Sequence, residues 1–252
     1  TTAEILSAAG YKVLLIEEGP LRTSSDFKML EDQAYASLYQ EGIGRMSKDG
    51  AITILQGRAV GGTTLINWTS SFRTPEPTLE HWAKEHNVKG HSPAEMAPWF
   101  EKMEQRLGVA PWMVPPNANN DVIRKGCEKL GYSWHVIPRN VRGCWNLGYC
   151  GMGCPTNAKQ SMMVTTIPAT LEKGGELLYL ARAEKLLING DKVTGLQCVA
   201  MDERCVEATG RKITVKARHY VLAGGGINSP ALLLRSDAPD PHQRVGKRTF
   251  LH

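Results

Sequence analysis

Two glycine-rich loops, one acid at the end of an apolar run and three closely spaced cysteines are the positions in this chain whose types and spacing could do chemistry. Glu17 closes the run Val13-Leu14-Leu15-Ile16. An ionised carboxylate only accepts hydrogen bonds, so at the end of a strand in a dinucleotide-binding unit it suits a ribose diol. An ordinary solvated acid at a strand end would look the same. The segment Gly57-Arg58-Ala59-Val60-Gly61-Gly62-Thr63-Thr64-Leu65-Ile66-Asn67 holds three glycines within six positions. Its paired glycines permit positive φ and close backbone approach to a flat or charged ligand, and its threonines can cap a following helix and leave amides free for phosphate. A plain turn fits these residues too, and the Gly-Lys-Thr or Gly-Lys-Ser of a P-loop is missing. Val221 to Ser236 reads as a strand, a triple glycine and a helix opening at Pro230, with Ser229 as the cap and Pro230 at the first helical position. A helix start after a glycine turn favours negative charge, as well as making a tight junction.

The elements that must hold these positions follow from apolar periodicity. A short helix over 1–9 leads into a strand over 13–16, the second half of a βαβ nucleotide-binding unit whose first strand and glycine loop are expected before residue 1. A helical patch is expected over 29–38 and a short strand over 51–55. Helices follow over 79–86, 93–107 and 121–130, with a proline-rich break between the last two, a strand over 134–137 and an irregular loop over 139–160. A helix over 163–171 precedes strands over 177–180, 185–188, 193–200, 205–208 and 212–216, with turns at Asn189-Gly190-Asp191 and Thr209-Gly210. A buried strand over 219–223 feeds the last helix. Trp82, Trp99 and Phe100 are expected in the core, and Met162-Met163 as gap fillers.

Composition excludes several classes. Hydrophobic residues at 42% and charged residues at 22% are ordinary globular values. No apolar stretch approaches the ~20 residues that a bilayer-spanning helix needs. The net charge of +5 is scattered, a solvated surface rather than a nucleic-acid or lipid patch. Six cysteines in 252 residues do not make a disulfide scaffold and leave the compartment open.

These loops, in this order and spacing, resemble the glucose–methanol–choline (GMC) family of FAD-dependent oxidoreductases. Leu14 to Gly19 is similar to the family's strand-end acid, Gly57 to Asn67 to its first signature, and Gly225 to Ser236 to its second. Val245-Gly246 and His252 resemble the short segment that comes next. The resemblance implies an α/β fold, an FAD/NAD(P)-binding Rossmann-like domain with a helical insertion and an antiparallel meander. Residues 1–75 and 160–252 would form the discontinuous FAD-binding domain, and 76–159 the insertion with its cysteine loop. Glu17 would bind the adenosine ribose, Gly61, Gly62, Thr63 and Asn67 would line the pyrophosphate and flavin side, and Arg58 would be a further cofactor-binding residue. Glu184 would meet adenine through its backbone, and Ala223 and Gly224 would abut the cofactor. The family passes a hydride from an alcohol carbon to flavin N5, with a C-terminal histidine and a His or Asn partner handling the proton. Neither signature contains that pair, so no catalytic residue is assigned. The chain begins within a helix and ends at His252, and is expected to be part of a longer protein; by itself, without the first strand and glycine loop, it is expected to bind FAD weakly and to turn nothing over. Departures from the family pattern fall at Ser71, Gly226, Asp237, Arg248 and Thr249.

Cys144, Cys150 and Cys154 remain open. Cys-x3-Cys-Pro overlaps part of a bacterial ferredoxin pattern without the full set. Three ligands would suit a 3Fe-4S cluster, which some sugar dehydrogenases of the family carry in a similar loop. A disulfide or plain packing fits the same spacing, whereas zinc lacks its usual Cys-x2-Cys pairs. The leading expectation is an FAD-dependent alcohol dehydrogenase or oxidase acting on a small-molecule alcohol or sugar, with the electron acceptor left open between oxygen, a quinone and a cytochrome. The rivals are an iron–sulphur-bearing flavin sugar dehydrogenase feeding a cytochrome, and a non-catalytic remnant of the flavin fold.

Overall fold

The computed structural model of the chain describes residues 1–248. Thr249 and His252, two positions compared above with the family pattern, lie outside them. The described chain divides into two compact units: one takes in Thr1, Arg22–Gly57 and Gly61–Ala169, the other Thr2–Leu21, Arg58–Val60 and the described residues from Thr170 onward.

The second unit carries the α/β character. Helix α1 (Thr2–Ala8) runs into strand β1 (Leu14–Ile16). In the first unit, α2 (Glu31–Leu38), α3 (Glu76–His86), α4 (Pro93–Leu107), β2 (Val109–Pro111), α5 (Ala118–Leu130) and β3 (Pro138–Asn140) follow, and then helix α6 (Thr166–Glu172). The chain continues in the second unit with β4 (Glu176–Leu178), β5 (Ala181–Asn189), β6 (Lys192–Met201), β7 (Ala208–Val215) and α7 (Gly225–Arg235). Strand β1 pairs in parallel with β4, Leu15 opposite Leu177. Strands β5, β6 and β7 form a separate antiparallel meander. Val199, Met201 and Cys205 are buried together beneath Leu180. Helix α7 is tied to the meander by Ser236, whose Oγ donates to Leu232 O at 2.6 Å and accepts from Leu186 N at 2.9 Å.

In the first unit the helix ends are written in the sequence. Ser92 and Glu95 form a reciprocal capping box at the start of α4, and Asn117 caps α5 by accepting from Asn120 N at 2.9 Å. Gly108 and Gly131 end the two helices in the left-handed region. Neither helix buries a residue. Trp99, expected in the core, is 59% exposed, and Trp82 is exposed as well, because little of the described chain packs over them.

Several expected elements differ. No strand forms over 51–55: a single bridge joins Met46 to Thr53, and Asp49 Oδ1 takes Ser47 Oγ and Ala51 N in the turn between. The strand expected over 134–137 lies at 138–140, where it pairs with β2 and sets Pro138 opposite Pro111. Residues 205–207 form no strand, because Asp202 Oδ1 accepts from Val206 N and Glu207 N; β7 then runs through Thr209-Gly210 without a hairpin turn, with Gly210 at φ +81° and a shift of the β6–β7 register between Val199 and Met201. Residues 219–223 form no strand. None of the sheets among the described residues takes them in, and Val221 is 63% exposed. Helix α7 starts at Gly225, so Gly224 is the cap, Pro230 lies inside the helix and Ser229 caps nothing at its start.

The β5–β6 hairpin turns at Gly190 with φ +60°, the positive value that a type II′ turn needs at its first central position. A Cβ there would meet nothing within 4 Å, so a substitution is penalised by backbone conformation alone. Gly190→Val is expected to lower unfolding stability by about 1–2 kcal/mol, measured by urea titration.

Candidate functional site

Each unit carries one group of the expected cofactor residues. In the second unit, parallel pairing continues past the end of β1: Glu17 N donates to Leu178 O, and Glu17 O accepts from Ala181 N, both at 2.9 Å. This fixes the main chain of Glu17, and its Oε1 accepts from Gly19 N at 2.8 Å. Gly19 is needed here because a Cβ would lie 2.4 Å from the Arg58 carbonyl carbon. Val60 N donates to Pro20 O at 3.0 Å, which holds the 58–60 segment against this turn. Burial pushes the Glu17 carboxyl up to about 7; the Gly19 amide opposes the rise, Glu18 adds to it and Arg58 opposes it. Arg58 reaches Glu18 only loosely, with Nη1 at 3.9 Å from Oε1. Its Nε is buried with no hydrogen-bond partner.

Glu184 sits at a β-bulge, where the β5–β6 register shifts between Ala183 and Lys185. Its main chain is therefore out of the ladder, and its carbonyl accepts from Arg235 Nε at 3.4 Å. Ala223 and Gly224 lie exposed at the start of α7, where no side chain caps the first amides.

In the first unit, Gly61 and Gly62 both take positive φ and lead into a 3-10 turn over Gly62–Leu65. No α-helix follows, so the threonines act within the loop instead of capping. Thr63 Oγ1 accepts from Gly57 N at 3.1 Å. Thr64 Oγ1 donates to Gly61 O at 2.6 Å and accepts from Met162 N at 3.0 Å. Open space lies where Gly62 would carry a Cβ. Asn67 is anchored through N–H to Thr63 O at 2.9 Å, while its Oδ1 is buried with no partner.

Lys159 is the residue that sequence reasoning missed. Only 3% exposed, its Nζ donates to Leu65 O and Asn67 O at 2.7 Å and to Cys150 O at 2.6 Å. Burial pulls its pKa down to about 8, against the opposing pull of Cys150 and Cys154. Its partners are main-chain carbonyls, which no residue type displays, so the only sequence signal was a lysine between alanine and glutamine after the cysteine loop.

Cys144, Cys150 and Cys154 are half-buried free thiols. Cys144 Sγ accepts from Asn146 N at 3.4 Å; Cys154 Sγ lies 3.4 Å from Thr156 Oγ1 and accepts from Lys159 N at 3.5 Å. Burial raises the Cys150 thiol. For Cys154 burial also acts upward, but hydrogen bonds from Thr156, Lys159 and Ala158 outweigh it and leave the thiol below its ordinary value. Among the described residues, no group of three or more His, Cys, Asp or Glu is placed to hold a metal ion. A cleft of about 470 Å³ lined by 241–244, Lys247 and Arg248, and another of about 320 Å³ around Phe27 and Met152, take in none of the expected cofactor residues.

A protein-family model described as GMC oxidoreductase matches residues 35–252. The chain belongs to the GMC oxidoreductase family. It is 32% identical to a long-chain-alcohol oxidase of Arabidopsis thaliana, FAO4B, over 98% of this chain and 33% of that protein. It is 30% identical to the paromamine 6'-oxidase of Streptomyces fradiae, over 99% of this chain and 49% of that one. In structure it matches the pyridoxine 4-oxidase of Mesorbium loti with a TM-score of 0.65 at 19% identity, over 94% of this chain and 49% of the other, a likeness of fold. The fold is thus the FAD-binding N-terminal domain of GMC oxidoreductases, and the chain spans about a third of the length of the first of these relatives. No helix among the described residues is long and apolar enough to cross a membrane.

Two outcomes follow. Glu17 binds its proton more tightly folded, at about 7, than at its ordinary value of 4.5. Its contribution to stability is therefore greatest at low pH and falls as pH rises from about 4.5 to 7, by roughly 1–3 kcal/mol. Glu17→Gln should remove this dependence in urea unfolding at pH 5 and 8. Gly57→Ala would place a Cβ 2.7 Å from the backbone of Gly62 and Thr63. It should destabilise the protein by about 1–3 kcal/mol, read as a lowered thermal midpoint.

Proposed function

We propose that the protein containing this chain is an FAD-dependent oxidoreductase acting on the CH–OH group of a small-molecule alcohol or sugar, with residues 1–75 and 160–252 supplying the cofactor-binding domain. The observation that carries this reading is a pair of orphaned groups. Buried polar atoms in native proteins are nearly always hydrogen-bonded, and exceptions call for an explanation. Three side chains among the described residues break the rule: Arg58, Asn67 and Ser7. The first two occupy positions where the family resemblance expects cofactor contacts. Taken one by one, the unpaired N–H donor of Arg58 fits a ligand acceptor and the unpaired carboxamide oxygen of Asn67 fits a ligand donor.

In this reading the ionised Glu17 accepts from the adenosine ribose hydroxyls. The bulge at Glu184 presents main chain to adenine, and Arg58 turns its Nε–H toward the dinucleotide. Gly61, Gly62 and Thr63 allow close backbone approach to the pyrophosphate and flavin side, where Asn67 offers its carboxamide. Ala223 and Gly224, at an uncapped helix start, add amides that favour negative charge. FAD, when bound, supplies the acceptor for the hydride of the alcohol carbon. The names of relatives that oxidise long-chain alcohols and paromamine agree with CH–OH chemistry.

The test is the absorption spectrum of the full natural chain before and after an alcohol, and then dithionite. Flavin bands that bleach with the alcohol are the expected result, and a preparation that takes up no FAD would sink the proposal. An extra broad band that bleaches with dithionite would assign the three cysteines to a cluster. FAD affinity should also rise about tenfold between pH 6 and 8, because the diol requires the ionised Glu17. Glu17→Gln should bind more weakly and lose that slope in a fluorescence titration.

A further inference from the structure

Lys159 is the buried charge that the proposed chemistry does not use. Its three ammonium donors match three carbonyls at 2.6–2.7 Å, from Leu65, Asn67 and Cys150. Two acceptors belong to the end of the glycine-rich loop, and the third opens the 3-10 turn Cys150–Met152 in the cysteine loop. The same residue's backbone N–H donates to Cys154 Sγ at 3.5 Å. One residue therefore ties both loops to a single point, and does so beside Asn67, whose Oδ1 is buried and unpaired. A neutral apolar residue could fill the space but could not gather three carbonyls. An ammonium taken out of water is costly, so its presence favours a role in fixing geometry over one in bulk stability.

We propose that Lys159 is a positioning residue that couples the cysteine loop to the flavin-facing loop: it sets the main chain of Asn67, and a change at Cys150 or Cys154 reaches Asn67 through it. The inference rests on the reading that Asn67 faces the flavin. Coupling between two sites is reciprocal, so FAD binding must alter the cysteine loop as much as the cysteine loop alters FAD binding.

The experiment is alkylation by iodoacetamide of the full natural chain, with and without FAD, each cysteine's rate being read by mass spectrometry. FAD should slow labelling of Cys150 and Cys154 about tenfold and leave Cys127, on α5, unchanged. In Lys159→Met, FAD should bind about tenfold more weakly, and the FAD-dependent protection should vanish at saturating FAD. Lys159→Arg, which keeps a cation with several donors, should recover part of both effects. Equal labelling of the wild type with and without bound FAD overturns the proposal and needs no variant to fold. Protection unchanged in Lys159→Met would mean direct shielding and also overturns it. Each of these results leaves FAD binding intact, whereas a wild type that binds no FAD overturns the functional reading itself.

Discussion

A buried ammonium has to find acceptors, and the acceptors it finds are thereby fixed. Lys159 fixes three, and this constraint organises the first unit around the signature loop. The glycine pair makes the loop possible by allowing positive φ twice in succession, but permissive residues do not choose one conformation. The choice is made by Thr63 and Thr64, which close the loop on Gly57 and Gly61, and by the lysine, which holds its far end. Without that cation, the carbonyls of Leu65 and Asn67 would lose a charge-assisted hydrogen bond each, the stronger kind.

The second unit solves a similar problem with neutral means. Parallel pairing of β1 with β4 carries one residue further to Glu17, so the acid's main chain is set by the ladder and its side chain by the amide of Gly19. The turn then packs so tightly on 58–60 that only glycine fits at position 19. Cys205, a residue with no visible motif, buries its thiol in the same region and donates to Glu18 O at 3.0 Å. Burial of this thiol raises its pKa to about 11, which marks it as a packing residue rather than a reactive one.

Features decided by local chemistry were legible in the sequence. The apolar run at 13–16, the helical period over 93–107 and the Asn189-Gly190 turn each act over a few residues, and each has its element where its pattern put it. What depended on a distant partner was not legible. The 219–223 run is apolar enough for a strand, yet strand formation needs a pairing partner, and no ladder among the described residues includes it. Trp82 and Trp99 have core-like side chains on helices over which little of the described chain packs. The candidate site divides the same way: glycines and the strand-end acid announced themselves by type and spacing. Lys159 did not, since its role is written in main-chain carbonyls far away in the chain.

Three of the positions singled out for a cofactor carry groups that the fold leaves poorly satisfied. Glu17 is held where its charge is disfavoured, Arg58 Nε has no acceptor, and Asn67 Oδ1 has no donor. Each such group costs the fold free energy, of the order of 1–3 kcal/mol for a buried neutral one. A sequence selected for stability alone would replace them with apolar residues of similar volume. Their presence makes sense when the cost is offset by a ligand that binds only the folded chain and stabilises it in proportion to the logarithm of its concentration over its dissociation constant. On that argument the weakness of these groups as structural contacts agrees with the proposed role in binding a cofactor.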